Sequence, residues 1–206
     1  MGGNGGVTLV LGPGLAAGLG GIGALLAFGR EGIPVRACIG ANTGALVAAL
    51  WAAGADLPLA ARVLAHLPWA EYLGARPLET PDRLLAAIEL LTRRLSFADA
   101  PGRVGVAVGD LAGGRAAVVR HGSIARAVRE SLSIPGLIGP APGGGVDPGA
   151  EWARAVRDEL ARTGDAGSAV WTTFAPVGPI PESELDDAGL SGPVRDLARY
   201  AFMNWL

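Results

Sequence analysis

The segment Gly40-Ala41-Asn42-Thr43-Gly44 is where this 206-residue chain could hold a side chain for covalent chemistry. It follows an apolar, strand-like run at residues 35–39 and precedes an uncharged, alanine-rich run at 45–53. A sharp strand-to-helix bend needs small neighbours, because the folded-back backbone leaves no room for larger ones. In the nucleophile elbow G-x-S-x-G the serine hydroxyl attacks a carbonyl carbon, and the helix behind it favours negative charge. Asn42 occupies the serine position. Its amide has no hydroxyl to activate. Asparagine does tolerate positive φ, so a turn role accounts for Asn42 better than a catalytic one.

Other residues with chemical capacity are few. Thr43 carries a hydroxyl beside the elbow position, but its side chain would leave the bend in another direction. Ser133 precedes Ile134-Pro135-Gly136 with no base evident nearby. His66 and His121 fall at expected element ends, where a surface or packed histidine is the ordinary outcome, so a Ser-His-Asp triad has no support. Gly12-Pro13-Gly14 and Gly18 form a glycine-rich turn after the first apolar run. Their spacing misses G-x-G-x-x-G, and no acid follows the next strand, so a dinucleotide is not expected. The single cysteine, Cys38, excludes an intrachain disulfide and reads as a buried thiol. One cysteine and two separated histidines hold no structural zinc. No cofactor or metal is expected.

The elements that must position these residues follow from pattern. Residues 7–11 read as a buried strand, 12–14 as a turn, and 22–30 as a helix closed by Gly32 with Pro34 beyond it. A second strand at 35–39 and a helix at 43–53 complete a strand–helix–strand–helix order, which implies parallel strands. Helices are expected over 58–66, from Thr80-Pro81-Asp82 to about residue 95, from a Ser123 cap to about 132, over 151–163 and over 193–206. Strands are expected over 103–108, 115–120 and 168–174, with 134–150 as loop. Residues 7–29 carry no charge, but their glycines and Pro13 favour strand, loop and helix over a membrane span. No linker or repeat interrupts the chain, so residues 1–206 are expected to form one domain.

Half the residues are hydrophobic, with 33 glycines and 15 prolines, as suits a well-cored α/β protein with many turns. The net charge of −2 and the lack of a basic run argue against nucleic-acid binding. The first residues lack the basic start of a signal peptide, which points to a cytoplasmic setting.

Four blocks taken in order resemble the patatin-like acyl hydrolases. They are the glycine loop and helix over 9–25, the elbow with Ala45-Leu46-Val47-Ala48-Ala49-Leu50, then Gly109-Asp110-Leu111, and finally residues 122–131 with Ile134-Pro135-Gly136. The resemblance covers residues 7–148. It implies a three-layer α/β/α fold with a mostly parallel central sheet. Family members use a serine–aspartate dyad, the aspartate lying in a D-G-G/A motif. The stretch 142–146 is matched to that motif, which puts Gly143 at the aspartate position and leaves Asp147 as a displaced, fallback acid or a solvated loop residue. The oxyanion loop keeps Gly12, Gly14 and Gly18. However, Pro13 lacks an N–H, Leu15 replaces a glycine, and Ala17 stands where the family has arginine or lysine.

The resemblance therefore implies a member without its catalytic dyad, whose remnants are the glycine loop and the elbow glycines Gly40 and Gly44. Its expected role is binding, scaffolding or regulation. The partners implied are a lipid or acyl chain, a second copy of the chain, an active patatin-like relative, and peripheral contact with a membrane. The contrasting expectation is a working lipid acyl hydrolase that pairs Asp147 with Thr43 or Ser133. The apolar residues of 193–206 suggest a helix packed on its own core or, alternatively, an assembly interface.

Overall fold

The computed structural model describes residues 6–14, 18–66, 82–110, 112–135 and 137–172. The expected oxyanion-loop changes at Leu15 and Ala17, the Thr80-Pro81 cap and the helix over 193–206 lie outside the described residues.

Five strands form one sheet in the order β4-β3-β2-β1-β6, and a sixth, β5, pairs with β3. The first is β1 (Val7–Leu11), whose β-branched and apolar residues are buried almost throughout. Helix α1 (Gly21–Arg30) follows, and Gly32 at φ 64° turns the chain back. Strand β2 (Val35–Ala41) then runs parallel to β1. Within the uncharged run 7–29 the described residues hold a strand and a helix. No helix of the described residues is long and apolar enough to cross a membrane.

Helix α2 (Thr43–Ala52) starts one residue after β2 ends and is buried on nearly every face. Its sequence allows this, because it has no charged residue and a helix apolar all round belongs inside. Helix α3 (Leu57–Ala65) is capped by the Asp56 carboxylate, which accepts from Leu59 N at 2.9 Å. Helix α4 (Arg83–Leu91) takes its cap from Asp82, which accepts from Leu85 N, and ends at Leu91 rather than near residue 95. Arg93 and Arg94, at φ 54° and 55°, terminate it, and Arg94 N donates to Glu89 O in place of a continuing helical bond.

Strand β3 (Arg103–Asp110) pairs parallel to β2 and antiparallel to β4 (Arg115–Val119). Helix α5 (Ile124–Ser131) is capped by Ser123 as its sequence requires. The stretch read as loop contains β5 (Gly145–Val146). A 3-10 turn at Gly149–Glu151 leads into α6 (Trp152–Thr163), and β6 (Ala169–Thr172) joins the free side of β1 in parallel.

The sheet is covered on both faces. The larger core lies between one face and helices α1, α2, α4 and α5, and includes Leu9, Leu11, Cys38, Leu46, Leu50, Ile88, Ile124 and Val128. The opposite face buries Val10, Ile39, Ala41 and Ala107 against Trp152, Val156 and Leu160 of α6. This is the three-layer α/β/α arrangement with a mostly parallel sheet. Cys38 is fully buried, and burial holds its thiol far above the ordinary range. His66 and His121 are both exposed.

Glu159 of α6 is 8 % exposed and accepts from Arg120 and from Arg162 at 2.8 Å and 2.9 Å. Burial pushes its carboxyl up, but hydrogen bonds from Arg162 and Arg120 and their charges outweigh that and hold it low. The native pKa lies below the unfolded one, so this contribution is present at neutral pH and is lost as pH falls. Glu159→Gln should destabilise the protein by about 1–2 kcal/mol at pH 7, since it removes the negative charge that faces the partly buried Arg120. Thermal melts should show that deficit shrinking as pH falls below about 4.3.

Candidate active site at the strand-to-helix elbow

Asn42 is the one residue between β2 and α2. It sits at φ 53°, ψ −125°, a conformation that costs a non-glycine residue about 1–3 kcal/mol. Two glycines permit the bend by close approach rather than by their own torsion angles. A Cβ on Gly40 would lie 2.5 Å from the Ala45 backbone, and one on Gly44 would lie 2.5 Å from Leu11 O. Gly40, Gly44 and Asn42 together therefore form a strained elbow, as the small-residue pattern predicts.

Two hydrogen bonds anchor the elbow from below. Asn42 N donates to Ser131 Oγ at 2.8 Å, and Ser131 Oγ donates to Ala107 O at 2.7 Å. The serine at the end of α5 thus ties the elbow to β3. Ser131 is fully buried, and sequence reasoning did not single it out.

The amide of Asn42 is committed at both ends. Its Oδ1 accepts from Thr43 N at 2.8 Å. Its Nδ2 donates to Asp147 Oδ2 at 2.7 Å. Asn42 itself is 2 % exposed.

The position of Asp147 follows from the sheet. Strand β2 leaves the side of β3 after Ala41, which pairs with Ala107. Strand β3 runs on through Gly109 and Asp110, and β5 takes up that vacated edge with Val146 opposite Gly109. The residue after β5 therefore arrives beside the residue after β2. Asp147 N donates to Ser133 O at 2.8 Å, and Asp147 Oδ1 accepts from Gly149 N at 2.8 Å. Asp147 is half-buried rather than a solvated loop residue.

This corrects the assignment of Gly143 to the acid position. Gly143 is exposed and lies against the Glu130 carboxylate, not the elbow. The carboxylate beside the elbow is that of Asp147, directly after β5.

The loop that delivers Asp147 is held by a second residue that went unremarked in the sequence. Arg129 is 6 % exposed and pairs through Nε with Asp82 at 2.9 Å. Its remaining nitrogens donate to Ser133 Oγ, Gly139 O and Pro140 O. Its signal is weak but real: Arg129 falls four residues after the buried Ala125, within the apolar arc of α5, whereas Arg126 is exposed.

The other hydroxyls do not reach the acid. Thr43 Oγ1 donates to Gly14 O, and Ser133 Oγ donates to Arg129 O and Gly139 O. No hydroxyl among the described residues bonds to Asp147. The Gly12 carbonyl lies against Gly44, and Gly18 lies against Thr43. The carbonyl of Gly14 faces Thr43, while the Thr43 N–H, a natural oxyanion donor, is taken by Asn42 Oδ1. No group of three or more His, Cys, Asp or Glu among the described residues could hold a metal ion.

The fold is the patatin-like α/β/α arrangement. Among solved structures it is shared with the crystal structure of full-length SpcU in complex with full-length ExoU from the type III secretion system of Pseudomonas aeruginosa. That match has a TM-score of 0.54 and 16 % identity, over 97 % of this chain and 52 % of that one. The heterodimeric ExoU–SpcU complex from the same organism gives a TM-score of 0.51 and 16 % identity, again over 97 % and 52 %. The chain spans about half the length of the chains it matches. At this identity the likeness is one of fold. No family model matches the sequence.

Two measurements test the site. Ser131→Ala leaves the Asn42 N–H and the Ala107 carbonyl without their partner, so denaturant unfolding should show a loss of about 2 kcal/mol. Asp147 supplies a pH test. Burial raises its pKa, and the hydrogen bonds from Gly149 N–H and the Asn42 amide offset this only in part. Its native pKa therefore lies above the unfolded value, and stability falls as pH rises from about 3.9 through the native pKa. Asp147→Asn lacks this titration. Its melting temperature relative to wild type should rise across that window and level off above it.

Proposed function

We propose that this chain is a catalytically silent protein on the patatin-like fold and acts by binding rather than by acyl transfer. The observation that carries this reading is the 2.7 Å hydrogen bond from Asn42 Nδ2 to Asp147 Oδ2. In a serine–aspartate dyad the hydroxyl gives its proton to the carboxylate and its oxygen attacks the ester. Here an amide nitrogen fills the hydroxyl's place against the acid. An amide nitrogen is not a nucleophile, because its lone pair is delocalised into the carbonyl. The same side chain also occupies the Thr43 N–H that would stabilise a developing oxyanion. Nucleophile and oxyanion donor are thus removed by one residue, while the acid stays in place.

The reading extends to partners. A lipid or acyl chain, a second copy of the chain, or an active relative on the same fold would suit a protein that keeps the architecture of an acyl hydrolase without its reacting atom. ExoU was solved in complex with another protein, SpcU, which is consistent with a protein partner for this chain.

Fluorophosphonate labelling read by mass spectrometry, with p-nitrophenyl ester turnover alongside, tests the proposal. The wild-type protein should take no label and turn over ester no faster than Asn42→Ala. Asn42→Ser should take label at residue 42, because Asp147 already lies within hydrogen-bond reach of that position. A wild-type adduct on Thr43 or Ser133 would establish the working-hydrolase alternative instead.

A further inference from the structure

The elbow gives Asn42 a second chemical property, which stands on geometry alone and survives whether or not the silent-site reading does. Its ψ of −125° brings the following peptide nitrogen almost into eclipse with Cβ, since the two substituents of a tetrahedral Cα lie a third of a turn apart. For a serine this torsion merely presents the hydroxyl. For an asparagine it is the torsion of the five-membered succinimide ring, in which the main-chain nitrogen of the next residue bonds to Cγ. Thr43 N donates to Asn42 Oδ1 at 2.8 Å, and that oxygen is bonded to Cγ, so the carboxamide lies beside the attacking nitrogen.

We propose that Asn42 is a site of fold-driven deamidation, converting in the native protein through a succinimide to aspartate or isoaspartate. In the ring-closing step the Thr43 N–Cγ bond forms and the Cγ–Nδ2 bond breaks. Nδ2 leaves as ammonia, taking up the proton that Thr43 N gives up. Water then adds to one of the two ring carbonyls and reopens it. Addition at Cγ gives an ordinary aspartate at this position; addition at the main-chain carbonyl gives the isoaspartyl linkage. No oxidant or reductant is involved, since amide and acid carbon share one oxidation level.

Three features of the site favour the step. Thr43 is the first residue of α2, so its N–H has no helical acceptor, and attack by its nitrogen breaks no helix hydrogen bond. The ψ that the ring needs is already held in the native state, so closure requires no main-chain rotation about Cα–C. The departing nitrogen donates to Asp147 Oδ2 at 2.7 Å, which fixes the carboxamide in place beside the attacking nitrogen. In an unfolded chain the reactive torsion is one among many and Thr43 is β-branched, which slows the same closure. Holding attacking and attacked atoms together reverses that disadvantage. The aspartate product would set two carboxyls side by side at the elbow, where they would share a proton.

The test uses the full chain, incubated at neutral pH in parallel native and urea-unfolded samples in oxygen-18 water. The tryptic peptide 37–62 contains Asn42 as its one amide side chain, so a mass gain there identifies the residue. Asn4, followed by Gly5, reports the intrinsic chemistry in the unfolded sample. The native protein should convert Asn42 at least about ten-fold faster than the unfolded chain, with the heavy oxygen incorporated. Asn42→Gln, which cannot close the five-membered ring, should show no gain in that peptide. Equal rates in the two samples, or an Asn42 that stays intact in the native protein while converting in urea, would overturn the proposal. Neither result would alter the labelling outcome that tests catalytic silence.

Discussion

A chain that leaves a strand and enters a helix through a single residue must turn within that residue's two torsions. Asn42 carries that constraint at φ 53°, and the surroundings of the site are arranged to hold it. Gly40 and Gly44 let backbones meet where any Cβ would intrude. Ser131 supplies the acceptor that the elbow N–H needs and hands its own proton to β3. The all-apolar α2 then fixes the helix axis by being buried on nearly every side. An elbow of this kind is a property of the packed molecule, since an isolated segment would relax out of the strained torsion.

The acid beside the elbow is placed by a different mechanism, which is sheet register. Strand β2 ends early to make the bend, and β3 continues past it. The exposed edge of β3 is then available to a short strand, and β5 pairs there for two residues. Asp147 follows β5 immediately, so the same early ending of β2 creates both the bend and the opening that brings in the carboxylate. Arg129 secures the intervening loop through its carbonyl bonds, so that the delivery does not rest on two ladder residues alone.

The chemistry at this point is that of an amide facing an acid. The Asn42 carboxamide satisfies the acid with its N–H and the helix terminus with its carbonyl. One side chain thus occupies both the Asp147 carboxylate and the first N–H of α2.

Much of this was legible in the residues. Small side chains at 40, 41 and 44, an amide at 42 and an uncharged helix behind them dictate a tight elbow without a nucleophile, because sterics and functional groups are local properties. The order of strands and helices was legible for the same reason, as were the Ser123 cap and the turn at Gly32. The acid was not. Two residues of strand carry no periodicity, and a glycine-rich run offers several ways to align a short motif, so Gly143 and Asp147 could be told apart only by which one the edge of β3 brings to the elbow. Ser131 and Arg129 were hidden likewise, since what a buried polar side chain bonds to depends on elements distant in the chain. Local chemistry sets what Asn42 is; the register of β5 on β3 decides what it touches.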